Sequence, residues 1–357
     1  MDVTDKPTQI RQGEELDLKN VEAFLKGSIP GLTGELEVEQ FPSGFSNLTY
    51  LIRVGSRDLV LRRPPFGRKA KTAHDMGREY RILSALNPVF PYCPKPLVYT
   101  EDAAVMGCPF YVMERIPGII LRKKLPKGLE YTPEQMRTLC GNLLDVHVQL
   151  HSIDYKAIGL DGFGKPEGYV KRQVEGWSER YRAARTPDAP TCEGIMLWLH
   201  DHMPPDFARS AVIHNDYKFD NVVLNPDNPL EIIGVLDWEM ATIGDPLMDL
   251  GSSLGYWVQA DDPPEVQLAG MLPTNLPGAL TRAEMVERYA DKAGIAIDNF
   301  DFYYYFGIFR IAVIMQQIYY RSYHGQTSDP RFKVLIFAVH IINDEVTKRL
   351  KGGVISG

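Results

Sequence analysis

The chain has 357 residues, 44% of them hydrophobic and 24% charged, with a formal net charge of −7. This is an ordinary globular mix, long enough for two lobes with a buried core, and an acidic balance without a Lys/Arg-rich block argues against nucleic acid as a partner. Four cysteines, at 93, 108, 140 and 192, show no paired spacing, which predicts a reduced cytoplasmic chain with neither a disulfide framework nor a zinc site.

The polar start, Met1 to Lys6, does not read as a signal peptide. The most apolar stretches, near 306–315 and 334–342, carry Arg310 or His340 and are too short for a bilayer, so no membrane partner is expected. Residues 35–41 begin by alternating acidic and apolar side chains and predict an edge strand with one wet face. A turn of small residues (Ser43, Gly44, Ser46, Asn47) leads to a second strand over 50–52. Two strands and such a turn can form a flap whose backbone N–H groups meet phosphates, although a plain hairpin fits the same residues. Residues 58–63 predict a third strand stopped by Pro64 and Pro65, with Arg62 and Arg63 at its end. Arg62 would suit phosphate oxygens with two donors, or it would simply be solvated. Met76, Tyr80, Leu83 and Leu86 stand at helical spacing within 72–86, Glu79 lies beside that stripe, and Asn87-Pro88 ends it. Residues 110–114 predict a buried strand running into the Pro117-Gly118 break.

Thr132, Pro133 and Gln135 predict a capped helix start, followed by Leu139, Leu143, Val146 and Leu150 on one face, with His151 packed at the helix end. Apolar runs at 222–224 and 232–236, separated by Asn, Pro and Asp, predict a hairpin that brings Asn221 close to Asp237. Asp216 and Asn221 share the loop before it, in the pattern H-x-D-x-x-x-x-N that starts at His214. Singly, each could be a turn cap. Together with Asp237 they form the set that phosphoryl transfer needs: one carboxylate to orient an acceptor hydroxyl, and an amide and a second carboxylate for magnesium. Thr281 with Glu284 predicts another capping box and Gly294 its helix end, while the aromatic residues from Phe300 to Phe309 read as helix-packing core.

The segments His214-Asn215-Asp216 to Asn221, Leu236-Asp237-Trp238-Glu239, Ile243-Gly244-Asp245-Pro246 and Asp249-Leu250-Gly251 resemble the aminoglycoside phosphotransferase (APH) and choline-kinase-like superfamily. Within it the chain is most similar to the kinase domains that accompany acyl-CoA dehydrogenases, over about residues 20–345. The resemblance implies a bilobal α+β, protein-kinase-like fold, with a small antiparallel-sheet N-lobe over 1–116 and a mostly helical C-lobe over 117–357. It implies ATP as co-substrate and Mg2+ held by Asn221 and Asp237, with Asp216 catalytic and Lys218 steadying the phosphoryl group. Ser46 and Asn47 would cover the nucleotide, Arg62 would meet its phosphates and pair with Glu79, and the Glu114 carbonyl and Ile116 N–H would meet the adenine edge. His214 would hold the loop backbone and Asp249 would brace it from a helix start. Residues 155–210 would shape the acceptor pocket, or pack as a helical pair.

The reading is therefore an ATP-dependent small-molecule kinase acting on a hydroxyl, with a hydroxyacyl-CoA as the acceptor suggested by the resemblance. The alternative is a catalytically silent nucleotide-binding pseudokinase or scaffold. A true protein kinase fits less well, because Asp237-Trp238-Glu239 runs quickly into Gly244-Asp245-Pro246 and leaves little room for a peptide-docking segment.

Overall fold

The computed structural model describes residues 4–42, 47–65, 75–207, 209–327 and 329–352. Ser46 therefore lies outside the described residues. The chain divides into two units: residues up to Ile120 with Asn221–Ala241, and Leu121–Asp220 with the residues from Thr242 onward.

The first unit opens with helix α1 (Leu18–Ser28), whose start is capped by the Asp17 carboxylate accepting from the Asn20 N–H. Strands β1 (Leu36–Gln40), β2 (Leu48–Val54) and β3 (Arg57–Arg63) follow as an antiparallel meander. Then come α2 (Met76–Leu86), β4 (Pro96–Thr100), α3 (Ala103–Met106) and β5 (Phe110–Glu114). The sheet order β1-β2-β3-β5-β4 leaves β1 on an edge, as its half-wet pattern predicts. Strand period 2 sorts the two faces. Leu48, Tyr50, Ile52, Leu59, Leu61, Phe110 and Val112 share one core cluster with Val21 and Leu25 of α1. The intervening residue Arg62 consequently faces the other way, where Glu79 in the first turn of α2 meets it.

The second unit begins with α4 (Pro133–Ser152), which starts at the expected Thr132–Gln135 capping box. It continues through α5 (Tyr169–Ala184), α6 (Glu193–Asp201) and β6 (Ala211–Ile213). The chain then returns to the first unit as the hairpin β7 (Val222–Leu224) and β8 (Ile232–Val235). Strand β9 (Thr242–Gly244) resumes the second unit and pairs with β6. Helices α7 (Pro246–Gly255), α8 (Pro264–Ala269), α9 (Arg282–Ala293), α10 (Asp301–Tyr323) and α11 (Leu335–Gly352) complete it. The aromatic run of α10 is buried, as its density predicts. The Gly-Asp-Pro segment is a helix start: Asp245 accepts from the Leu247 and Met248 N–H groups and Pro246 takes the first helical position.

One carboxylate organises this unit. Asp249, fully buried on α7, accepts from four N–H groups. His147 and His151 of α4 approach its Oδ2 through Nε2 at 3.1 Å each. The His214 N–H reaches the same oxygen at 2.7 Å, and the Asn215 N–H reaches Oδ1 at 2.7 Å. The Tyr289 hydroxyl lies 2.8 Å from Nδ1 of His151, and as donor there it leaves the hydrogen on Nε2 for Asp249. Burial alone would raise the Asp249 carboxyl, but the two histidines outweigh it and hold it well below the usual range.

On α7, Gly251 and Gly255 stand one turn apart against α10. A Cβ on Gly307 would lie 2.0 Å from the Gly251 carbonyl oxygen, and one on Gly251 would lie 2.2 Å from that of Tyr303. Only backbone fits in this crossing. Gly307→Ala should therefore cost roughly 1–3 kcal/mol of stability by chemical denaturation, the usual penalty of overpacking; an unchanged midpoint would show that the helices separate freely.

Stability should also depend on the protonation of His147. Burial first, then His151, pushes it down to about 4 from an ordinary 6.5. As pH falls from about 6.5 to 4 the unfolded chain gains a proton there that the native chain refuses, so native stability drops by about 3 kcal/mol. Asp249, held well below its ordinary value, stays ionised in the native state across that window. Asp245, pushed up to about 6 by burial, acts in the opposite sense. The contribution is thus read as the difference between wild type and His147→Gln in urea titrations at pH 7 and pH 4.5; parallel pH profiles would refute it.

Candidate active site

In the first unit the polar groups gather around Arg62. Its guanidinium is buried at the end of β3, opposite Tyr111 in the sheet register. Nη2 donates to Asp237 Oδ1 at 2.9 Å, Nη1 lies 3.3 Å from Glu79 Oε1, and Glu239 Oε2 is 3.5 Å from Nη2. Asn47, at the start of β2, donates from Nδ2 to Glu239 Oε2 at 2.7 Å. Burial opposes the charge of Arg62, yet Glu79, Tyr111, Asp237 and Glu239 together raise it well above its ordinary value. Burial likewise raises Glu79, and Arg62 offsets part of that rise. Among the described residues, three carboxylates thus surround the Arg62 cation.

The hairpin presents Asp237 as expected. The Leu236 N–H donates to the Asn221 carbonyl at 2.8 Å, which places Asn221, at the end of the 3-10 turn Phe219–Asn221, across from the residue before Asp237. Asp237 itself takes a left-handed backbone (φ 66°, ψ 63°), an uncommon conformation for a residue with a Cβ. The Trp238 indole N–H donates to the Val235 carbonyl at 2.8 Å and anchors the turn from behind.

Beyond β5 the strand-to-break segment is pinned. Glu114, the last residue of β5, pairs in register with Leu59, and its N–H donates to the Lys95 carbonyl at 2.8 Å. Its side chain points to Arg57 and Lys95, at 3.5 and 3.8 Å. Ile116 covers Gly234, where a Cβ would lie 2.9 Å from Ile116 Cδ1. Gly118 is required by close approach: a Cβ there would lie 2.4 Å from the Leu224 carbonyl oxygen. Ile119 then bridges Leu224.

In the second unit the loop after β6 carries Asp216 and Lys218. Asn215 is left-handed (φ 64°), and its Oδ1 lies 3.4 Å from the Tyr169 hydroxyl. The Asp216 N–H donates to Nδ1 of His214 at 3.2 Å, so His214 supports the loop backbone. Lys218 Nζ donates to Asp216 Oδ2 and lies 3.6 Å from Asp220 Oδ1. It also sits 4.8 Å from the centre of the Tyr256 ring. Burial works against the ammonium, but Asp216, Tyr256 and Asp220 outweigh it and raise it above the ordinary lysine range.

Asn47, Arg62, Glu79 and Asp237 thus meet within one unit, and Asp216 and Lys218 within the other. Three residues of these clusters were assigned no role on sequence grounds: Glu239, His147 and Tyr256. Glu239 carried a signal, since it stands two residues after Asp237 in a tight turn. His147 lies one helical turn before His151, which marks a shared face. Nothing in the local sequence distinguishes Tyr256 from the other aromatic residues.

The family model described as "Phosphotransferase enzyme family" (APH) matches residues 37–278. Mouse acyl-CoA dehydrogenase family member 10 is 39% identical over 311 residues, covering 86% of this chain and 29% of that protein. Human acyl-CoA dehydrogenase family member 11 is 33% identical over 320 residues, covering 88% and 40%. The chain therefore spans less than half the length of these relatives. A crystal structure from Ralstonia eutropha JMP134, described as a candidate aminoglycoside phosphotransferase, superposes with a TM-score of 0.78 at 30% identity, covering 92% of this chain and 96% of that one. Choline kinase from Cryptosporidium parvum shares the fold, with a TM-score of 0.61 at 12% identity over 93% and 97% of the two chains. With its motifs, its small antiparallel sheet and its helical second unit all agreeing, the chain belongs to the APH phosphotransferase enzyme family, whose members are kinase-type small-molecule phosphotransferases.

Proposed function

We propose that the chain moves the γ-phosphoryl group of ATP to a hydroxyl of a small molecule, with a hydroxyacyl-CoA as acceptor. The observation that carries this reading is the buried Arg62 held at once by Glu79 of α2 and by Asp237 after the hairpin. A strand cation, a helix acid and a metal-type aspartate in mutual contact are the parts a kinase uses on the nucleotide side. The names of the acyl-CoA dehydrogenase relatives support the acceptor class.

The donor set suits magnesium. Asp237 and Asn221 offer only oxygen ligands, Asp237 is about a third exposed, and among the described residues three carboxylates gather on the Arg62 guanidinium beside it. The ion, when bound there, would neutralise charge on the β- and γ-oxygens. Arg62 would bind the α/β-phosphates, with Glu79 fixing its direction. Asn47, tied to Glu239, would anchor the start of β2 on the nucleotide side. The Glu114 carbonyl and the Ile116 N–H would meet the adenine edge.

In the second unit Asp216 would orient the acceptor hydroxyl and take its proton. The acceptor O–H bond breaks, its oxygen bonds the γ-phosphorus, and the bond to the departing diphosphate opens. A loose transition state asks more of positioning than of basicity, so an ordinary aspartate suffices. Lys218 holds that carboxylate and presents positive charge to the moving oxygens.

Asp216→Ala should lower transfer by about 10²–10⁴-fold while MgATP affinity by calorimetry stays near that of wild type. Wild-type turnover in that variant would remove Asp216 from the chemistry. Asp237→Ala should abolish the Mg2+ dependence of ATP binding, read by titrating nucleotide with and without the ion. If wild type binds neither ATP nor GTP in the presence of Mg2+, the kinase reading falls; tight binding with no transfer to any alcohol would favour the silent, nucleotide-binding alternative.

A further inference from the structure

Among the described residues, three on one face of α7 and its cap touch the catalytic loop, and two of these three anchor its backbone. Asp249, Ser253 and Tyr256 are spaced four and three apart, which places them on the same side of a helix. Asp249 takes the N–H groups of His214 and Asn215. The Ser253 hydroxyl donates to the Tyr217 carbonyl at 2.7 Å. Tyr256 meets the side chain of Lys218, with its ring centre 4.8 Å from Nζ. The backbone of Tyr256 is fixed as the cap of α7, its N–H bonding the Ser253 and Leu254 carbonyls. Gly251 and Gly255 seat the helix on α10, so the ring stands on an element that cannot drift.

Lys218 has two carboxylates within reach, Asp216 Oδ2 and, at 3.6 Å, Asp220 Oδ1. Asp216 is the nearer and stronger attraction, and Asp220 stays close enough to compete for the same ammonium. Burial, then Asp216, pushes the Tyr256 phenol up to about 12, so it faces Lys218 as a neutral ring, with Arg310 a further cation acting on Tyr256. A neutral ring attracts an ammonium through its quadrupole, and more strongly where both are withdrawn from water.

We propose that Tyr256 is a positioning residue, whose ring seats the Lys218 ammonium on Asp216 in preference to Asp220 and so fixes the carboxylate that receives the acceptor's proton. This rests on the reading that Asp216 and Lys218 carry phosphoryl transfer. The ring acts through Lys218 and does not itself meet the acceptor hydroxyl.

The test compares the full chain with Tyr256→Phe, which keeps the ring, and with Tyr256→Leu and Tyr256→Met, which remove it. Leucine and methionine are both smaller than tyrosine, and two ringless variants guard against one that fails to fold. Hydrolysis of MgATP with water as acceptor supplies kcat and KM. Lysine labelled with 13C at the ε carbon, assigned with Lys218→Arg, reports whether Lys218 lies over the ring, because a ring current moves its signal upfield. The expected result is an upfield Lys218 signal and near-wild-type kcat in Tyr256→Phe. In the ringless variants that signal should be lost and kcat should fall about tenfold with KM for MgATP unchanged. Equal kcat in the ringless variants overturns the proposal and leaves the kinase reading intact. So does a Tyr256→Phe variant as slow as Tyr256→Leu, since the hydroxyl would then be what matters. A wild-type chain that neither hydrolyses MgATP nor passes its phosphoryl group to an alcohol overturns the kinase reading and this proposal with it, whatever the Lys218 signal shows.

Discussion

A single buried negative charge holds the second unit in its working form. The Asp249 carboxylate is out of water, so it needs a full complement of donors, and it finds them on α4 and on the backbone after β6. Hydrogen bonds to a charged acceptor are worth about 1.5–3 kcal/mol each, and leaving a buried carboxylate short of one costs at least as much. The left-handed turn at Asn215 is held by this demand. Two histidines without bulk solvent, a strained residue and a charged core group would each be a liability alone. Together they satisfy one another, and the loop bearing Asp216 is the part that profits.

The first unit follows the opposite electrostatic plan. There the central group is a cation, Arg62, and the acids around it outnumber it. The excess negative charge is tolerable because Asp237 remains partly in solvent while Glu79 and Arg62 are buried. A divalent cation is what such a cluster lacks, which is the character of the magnesium site proposed above.

Much of this was legible in the chain, for identifiable reasons. Thr132 with Gln135 and Thr281 with Glu284 announce helix starts because capping is local chemistry, and both boxes form. The hairpin at 222–235 follows from turn residues between β-branched runs, and the role of Asp249 as a brace follows from its place after Asp245-Pro246. By contrast, α1 was not foreseen: among its residues only Val21 and Leu25 are buried, too sparse a stripe to stand out from a polar segment. Strand β4 has no fully buried residue and begins at a proline, so period 2 leaves little trace. The pairing of β6 with β9, like the contact between Tyr256 and Lys218, joins segments about thirty or more residues apart and exists only once the chain has folded.

The route of the backbone has a consequence for how the protein must assemble. The chain passes from one unit to the other at three places, after Ile120, after Asp220 and after Ala241. During synthesis the N-terminal sheet emerges early, yet Arg62 then has Glu79 and no Asp237, and Gly118 and Ile119 lack the β7 strand they pack on. The first unit is finished only after one hundred residues of the second, Leu121–Asp220, have been made. Such long sequence separations slow folding, because the loop must close before its contacts repay the lost entropy. The first unit is therefore completed late, when the arrival of residues 221–241 supplies Gly118 and Ile119 with their partner strand and the buried cation with its second acid.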